Sequence, residues 1–305
     1  MIRSAWKLLV PKKIRSHQFV RKIVRKYRNL KFRWRYENKD KFICKVKHCD
    51  IKFCTKDEYS KRWFYPRYDQ KIHEPAVTLL FAELSKKSEY ILDVGANIGW
   101  YTCVAGCVSD AYIFSVEMDK NNLYRLKKNV KINKIEEKVD VLDLAISDKK
   151  KTMSYKNKKG EANSGYRISA GGVGSKKVKC DTIDSLFGEK IDLIKVDVEG
   201  HEMNVLMGGR MSIESQKPDI VVEVHPVLLR KYGFESKDLI SFAKSMGYEP
   251  FRVVDPRQAG GSVSYEEISS DPFQNIHKFY LSNEPSQGNY TIYLPSPRKN
   301  LFDKS

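Results

Sequence analysis

Four groups of acidic, imidazole and glycine residues fall where strands are expected to end: Asp93 to Gly99, Glu117, Asp197 to Glu202, and Glu223 to His225. In an open α/β sheet, ligands sit outside the carboxyl ends of the strands, where the strand order switches. Convergence of polar residues there is the first sign of a site. Gly95 and Gly99 would let a backbone turn approach a ligand without a Cβ clash. The helix that follows offers unpaired amides suited to a carboxylate. The glycines are spaced Gly-x3-Gly, whereas dinucleotide binders carry Gly-x-Gly-x2-Gly, which weakens a nicotinamide reading. A carboxylate at Glu117, closing the next strand, can accept both hydroxyls of a ribose, which suits more than one nucleoside cofactor.

Those residues need a scaffold, and hydrophobic patterning supplies one. Strands are expected at 90–94, 111–116, 139–144, 191–196 and 219–224, with helices at 72–84, 100–108, 121–133 and 237–246. Alternating strands and helices predict an α/β fold, a doubly wound and mainly parallel sheet covered on both faces. Residues 41–55 alternate roughly by two and predict a β-hairpin. Residues 149–179, with Asn163-Ser164-Gly165 and Gly171-Gly172-Val173-Gly174, read as a hairpin or loop over the mouth of the site. Two further strands are expected at 277–281 and 290–294. The resulting organisation is a basic helical arm (1–40), a hairpin lead-in (41–62), a catalytic domain (63–250) and a C-terminal extension (251–305).

Asp93-Val94-Gly95-Ala96-Asn97-Ile98-Gly99, then Asp143-Leu144-Ala145-Ile146-Ser147-Asp148, then Asp192-Leu193-Ile194-Lys195-Val196-Asp197-Val198-Glu199-Gly200-His201-Glu202, together resemble the FkbM-type methyltransferases. The resemblance runs from about Phe64 to Val227. It implies a Rossmann-like methyltransferase sheet with S-adenosyl-L-methionine as cofactor. It further implies that Asp93, Gly95, Asn97 and Gly99 line the methionine end, that Glu117 holds the ribose, and that Asp143 to Ala145 lie beside the adenine.

On that reading Asp197 and Glu199 face the methyl donor, and Glu223 and His225 complete a pocket of carboxylates and imidazoles. Methyl transfer is a displacement at a carbon already activated by a sulfonium, so the protein must chiefly align donor and acceptor. A hydroxyl acceptor must also lose a proton. His225 or His201 is the expected base, because imidazole titrates near neutrality, with Asp197 or Glu199 orienting it or holding the acceptor. A structural alternative makes these residues strand ends and helix caps. Another has Asp197, Glu199, Glu223 and His225 ligating a divalent ion; no metal is assigned. Glu74 is placed at the pocket rim.

The chain's net charge of +18 is unevenly placed: 21 basic and 5 acidic residues lie before Trp63, and the remainder is nearly neutral. Such a field attracts anions. From Ser16 to about Arg35, Phe19, Ile23, Tyr27 and Leu30 recur at helical spacing among Lys and Arg, a basic amphipathic helix. It would dock on an anionic membrane surface or RNA, or else pack its stripe on the catalytic domain. Cys44, Cys49 and Cys54 lack the paired spacing of structural zinc sites and read as half-buried apolar residues. No apolar run long enough for a transmembrane helix or a signal peptide is present, so the expected location is cytoplasmic, with peripheral membrane association.

The leading expectation is therefore O-methylation of a sugar, a glycolipid or a small hydroxylated metabolite. An RNA methyltransferase using the basic arm is the rival, although the sequence has no Asn-Pro-Pro-Tyr-like tetrapeptide. A non-catalytic, cofactor-binding membrane adaptor is the third reading. The oligomeric state is left open.

Overall fold

The computed structural model describes residues 18–65, 72–157, 166–169, 176–188, 190–253, 276–278, 290–294 and 296–297. In chain order the elements are α1 (Gln18–Tyr36), β1 (Lys41–Val46), β2 (Cys49–Cys54), α2 (Glu58–Phe64), α3 (Pro75–Lys86), β3 (Tyr90–Val94), α4 (Trp100–Val108), β4 (Tyr112–Val116), α5 (Lys120–Asn133), β5 (Val139–Leu142), β6 (Ala145–Ile146), β7 (Lys151–Asn157), β8 (Tyr166–Ser169) and β9 (Lys176–Asp181). They continue with α6 (Ile183–Leu186), β10 (Leu193–Val196), α7 (Glu202–Met207), α8 (Arg210–Gln216), β11 (Asp219–Val224), α9 (Pro226–Leu229), α10 (Ser236–Ser245), β12 (Phe251–Val253), β13 (Ile276–Lys278) and β14 (Tyr290–Leu294).

The central sheet has the order β13-β12-β14-β11-β10-β3-β4-β5. Strands β11, β10, β3, β4 and β5 are parallel, and β14 pairs antiparallel to β11. The chain runs from β3 outward to β5, then returns through β10 to the other side of β3. The switch in strand order therefore lies between β3 and β10, where a crevice opens at their carboxyl ends.

Strand residues alternate between two apolar layers, as the two-residue period of a strand requires. Ile91, Leu193 and Val221 join a core with the β1–β2 hairpin, α3 and α4. Leu92, Ile194, Ile220 and Val222 join a core with α7, α8 and α10 on the opposite face. The hairpin buries Phe42 and Phe53 against Phe64 and Trp100, and Phe53 stacks on the Trp100 indole at 5.0 Å. Cys44 is buried in the same core, and Cys49 and Cys54 are half-buried.

The stretch expected to form a hairpin or loop builds strands β7, β8 and β9, which with β6 make a second sheet. Asn163-Ser164-Gly165 and Gly171 to Gly174 lie outside the described residues, as do the first 17 residues of the arm and most of the C-terminal extension. Strand β14 matches the expected 290–294; the expected 277–281 is described only as 276–278. Among the described residues no helix is long and apolar enough to cross a membrane.

Candidate active site

The turn after β3 is built on left-handed backbone. Gly95, Asn97 and Gly99 have φ of +85°, +54° and +86°. A Cβ on Gly95 would lie 1.9 Å from the Asp197 carbonyl oxygen, so the β3 turn and the end of β10 touch through bare backbone. The Gly95 and Ala96 amides both donate to the Val116 carbonyl at 2.9 Å, which ties the turn to β4.

Glu117 leaves β4 and turns back beneath that turn. Its carboxylate accepts from the Asn97 amide at 2.8 Å and the Asp119 amide at 2.7 Å. Burial raises its pKa to about 7, opposed by the Asp119 and Asn97 amide bonds. Asp119 caps α5 by accepting from the amides of Asn121 and Asn122, and Lys176 of β9 reaches it at 3.3 Å. Tyr155 of β7 donates to the Met118 carbonyl at 3.3 Å. The second sheet is thus pinned to the loop that shapes the cavity.

The cavity is an open cleft of about 670 Å³, the solvent at its mouth included. Gly95, Asn97, Glu117, Ala145, Asp197, Glu199 and His201, all singled out in the sequence, line it. Asp93, Gly99 and Asp143 do not. Asp93 is buried in the sheet, accepting from the Thr102 hydroxyl at 2.7 Å, and burial raises its pKa to about 6. Gly99 instead starts α4 against Leu126. Asp143 follows the end of β5 and pairs at the surface with Lys120, so the neighbouring Leu144 and Ala145 form the wall.

Asn122 and Met118 also line the cavity and carry no sequence signal of their own. Asn97 Oδ1 and both polar side-chain atoms of Asn122 are buried with no hydrogen-bond partner among the described residues. Buried amides without partners are costly. Here they line a cavity beside a carboxylate, so a ligand with both donors and acceptors, such as a nucleoside, fits them.

Beyond Asp197 the site becomes a cage of charge around His225. Its Nε2 lies 3.9 Å from Asp197 Oδ1, 3.9 Å from Glu199 Oε2 and 3.7 Å from Glu223 Oε1. Its Nδ1 bonds Glu202 Oε1 at 2.6 Å. Glu199 reaches the cage through a left-handed backbone (φ +52°), and Gly200 behind it (φ +101°) packs against Leu228 too closely for a Cβ. Tyr101 donates to Glu74 at 2.7 Å, and the charge of Glu74 acts on Glu223. Buried Lys195 sits with its ammonium 4.7 Å from the Tyr101 ring centroid. Glu202 and Lys195 appear in the sequence only within the quoted motif and without a role, and Tyr101 carries no signal of its own.

This cage reverses the roles expected for the histidines. Burial disfavours the charged His225, but the Glu202 bond and the carboxylates of Asp197, Glu202 and Glu223 outweigh it and raise the pKa to about 10. That shift favours the imidazolium near neutrality and disfavours His225 as the resting base. Asp197 is held below its ordinary value: burial opposes ionisation, and Lys195 and His225 overcome it. Glu223 is pushed well above its ordinary value by burial and by the charges of Asp197 and Glu74. His201 is not part of the cage. Its Nε2 pairs with Ser147 at 2.9 Å, and burial, followed by Lys151, lowers its pKa to about 4. Asp197, Glu223 and His225 each offer a ligand atom within 4.8 Å of the others, but ligation by His225 would require it to lose its proton.

A parallel sheet with a polar cavity at its switch point, sharing Asp197 and Glu199 with a charged cluster around His225, is the architecture of an α/β ligand-binding domain. The methyltransferase FkbM domain model matches residues 93–250, just over half of the chain. The hexuronic acid methyltransferase AglP of Haloferax volcanii is 31% identical over 178 residues, covering 56% of this chain and 69% of that protein. A methyltransferase FkbM structure from Methylobacillus flagellatus shares 15% identity at a TM-score of 0.42, covering 78% of this chain and 55% of that one. The structure of M. jannaschii TYW2 in complex with AdoMet shares 12% identity at a TM-score of 0.38, covering 84% of each chain. The chain belongs to the FkbM methyltransferase family. It is a methyltransferase, and S-adenosylmethionine is its methyl donor.

Proposed function

We propose that the chain methylates an oxygen of a sugar or sugar-acid acceptor, with Asp197 as the proton acceptor. The observation that carries this is the continuity of the two halves of the site. Asp197 and Glu199 line the cavity that also holds the orphan amides of Asn97 and Asn122, and both face His225. Asn97, Glu117, Asn122 and Ala145 would hold the donor, with Glu117 on the ribose. When bound, S-adenosylmethionine supplies a methyl group activated by its sulfonium.

The remaining work belongs to the protein's own side chains. Lys195 and the His225 imidazolium favour the ionised form of half-buried Asp197. A carboxylate is a weak base toward a resting hydroxyl. It becomes adequate late in the displacement, when the acceptor oxygen turns acidic as its new bond forms. Glu202 holds the His225 ring in place through Nδ1. Glu199 stands on the same wall and is positioned to accept an acceptor hydroxyl. The sugar-acid class is suggested by the name of the Haloferax relative.

Mass spectrometry of uronic-acid-containing and neutral oligosaccharides, incubated with the protein and isotopically labelled donor, tests the proposal. Labelled methyl on a sugar oxygen supports it. Label found on RNA from the same extract, or on no sugar, overturns it.

A further inference from the structure

Helix α1 carries a second functional surface, remote in kind from the cavity. Eight of its nineteen residues are Lys or Arg and none is acidic. Its inner side is fastened to the body of the protein. Tyr36 is buried and stacks on Tyr65 at 4.6 Å, Arg62 lies over the Phe32 ring at 4.8 Å, and Arg62 donates to Asn29 Oδ1 at 3.5 Å.

The outer side is apolar. Ile23, Tyr27, Leu30 and Trp34 are 52%, 61%, 58% and 84% exposed. Their spacing of four, three and four residues, at about 100° per residue, gathers them within one narrow stripe. The same arithmetic sets Lys26 and Arg33 along one flank and Lys31 and Arg35 along the other, and all four are exposed. The stripe therefore does not pack on the catalytic domain, which is the arrangement an ordinary surface helix would adopt. Scattered exposed apolar residues need no explanation, but a continuous rimmed stripe marks an interaction surface.

We propose that this face is a docking surface for an anionic lipid bilayer. Leu and Ile would enter the acyl boundary, Tyr27 and Trp34 would sit at headgroup level, and the flanking cations would meet anionic headgroups. Charge complementarity selects this occupant. A second copy would bring the four flanking cations of one acid-free helix against those of the other. Single-stranded RNA would use the cations and aromatic rings, but Ile23 and Leu30 offer it no stacking face.

The test uses the full chain and co-sedimentation with vesicles. One set is a mixture of phosphatidylcholine and phosphatidylglycerol, and the other is phosphatidylcholine alone. The variant is Leu30→Ser with Trp34→Ser, two exposed positions that leave every cation in place. The expected result is binding to the anionic vesicles only, weakened by salt, and weakened roughly tenfold or more in the variant. Donor binding measured by calorimetry stays unchanged, which shows that the variant is folded. Failure of the wild type to sediment overturns the proposal. So does a variant that sediments as well as the wild type, since attraction would then be charge alone. Displacement from vesicles by an RNA homopolymer that itself needs the two side chains assigns the stripe to RNA. A dimer in light scattering that dissociates in the variant assigns it to a second copy.

Discussion

His225 Nδ1 and Glu202 Oε1 are 2.6 Å apart, and the two side chains are only 3% and 0% exposed. Glu202 also accepts from the Gly200 amide at 2.8 Å, so one carboxylate oxygen holds both the imidazole and the turn after β10. Because the folded pKa of His225, about 10, lies above its ordinary value of 6.5, its charging stabilises the native state. That stabilisation is complete below pH 6.5 and is lost as the pH rises through about 10. Glu202→Gln keeps the shape and removes the charge. We expect it to cost on the order of 1–3 kcal/mol near pH 6.5 and to flatten the alkaline loss of stability. Chemical unfolding of both proteins across pH 6–10.5, a range set by the same titration, checks this.

Asp197→Asn tests the proton acceptor. The amide has nearly the same volume and cannot take up a proton. We expect the methyl-transfer rate to fall by roughly 10²–10⁴, with donor affinity changed little. Single-turnover kinetics at saturating donor separate these effects. Equal activity in the variant would remove Asp197 from proton transfer.

Glu117 makes donor binding sensitive to acid. Burial brings its pKa to about 7 in the unliganded site, and ribose hydroxyls are best accepted by the ionised form. Donor affinity should therefore weaken as the pH falls through about 7 and level off above it. Glu117→Gln should bind more weakly and lose this pH dependence. Titrations at several pH values, with wild type and variant in parallel, provide the comparison.

The signals that were legible in the sequence are local ones. Strands β3 and β11 and helix α4 begin and end at the expected residues, because an apolar run closes at a glycine turn or an acid within a few positions. The site residues that were missed depend on tertiary packing. Asn122 is an ordinary polar residue in a helical pattern until the Asp119 cap turns it into the cavity. Glu202 gains its role only when β11 brings His225, 23 positions away, beside it. Asp143 was expected beside the ligand, but β5 ends at Leu142 and the following residue turns outward to Lys120. The antiparallel entry of β14 between β11 and β12 is likewise a long-range pairing that strand periodicity does not encode. Residue types alone made His225 or His201 the expected base; around His225 the carboxylates of Glu202, Asp197 and Glu223 favour the cation instead.

The most direct measurement is a calorimetric titration of S-adenosylhomocysteine, the product that donates no methyl group, into the wild type and into Asn122→Ala. The buried amide of Asn122 has no partner among the described residues and lines the cavity. One saturable site in the wild type, weakened by about tenfold or more in the variant with unchanged thermal stability, is the predicted result. No heat of binding in the wild type, or equal affinity in the two proteins, would contradict the assignment of this cavity to the donor.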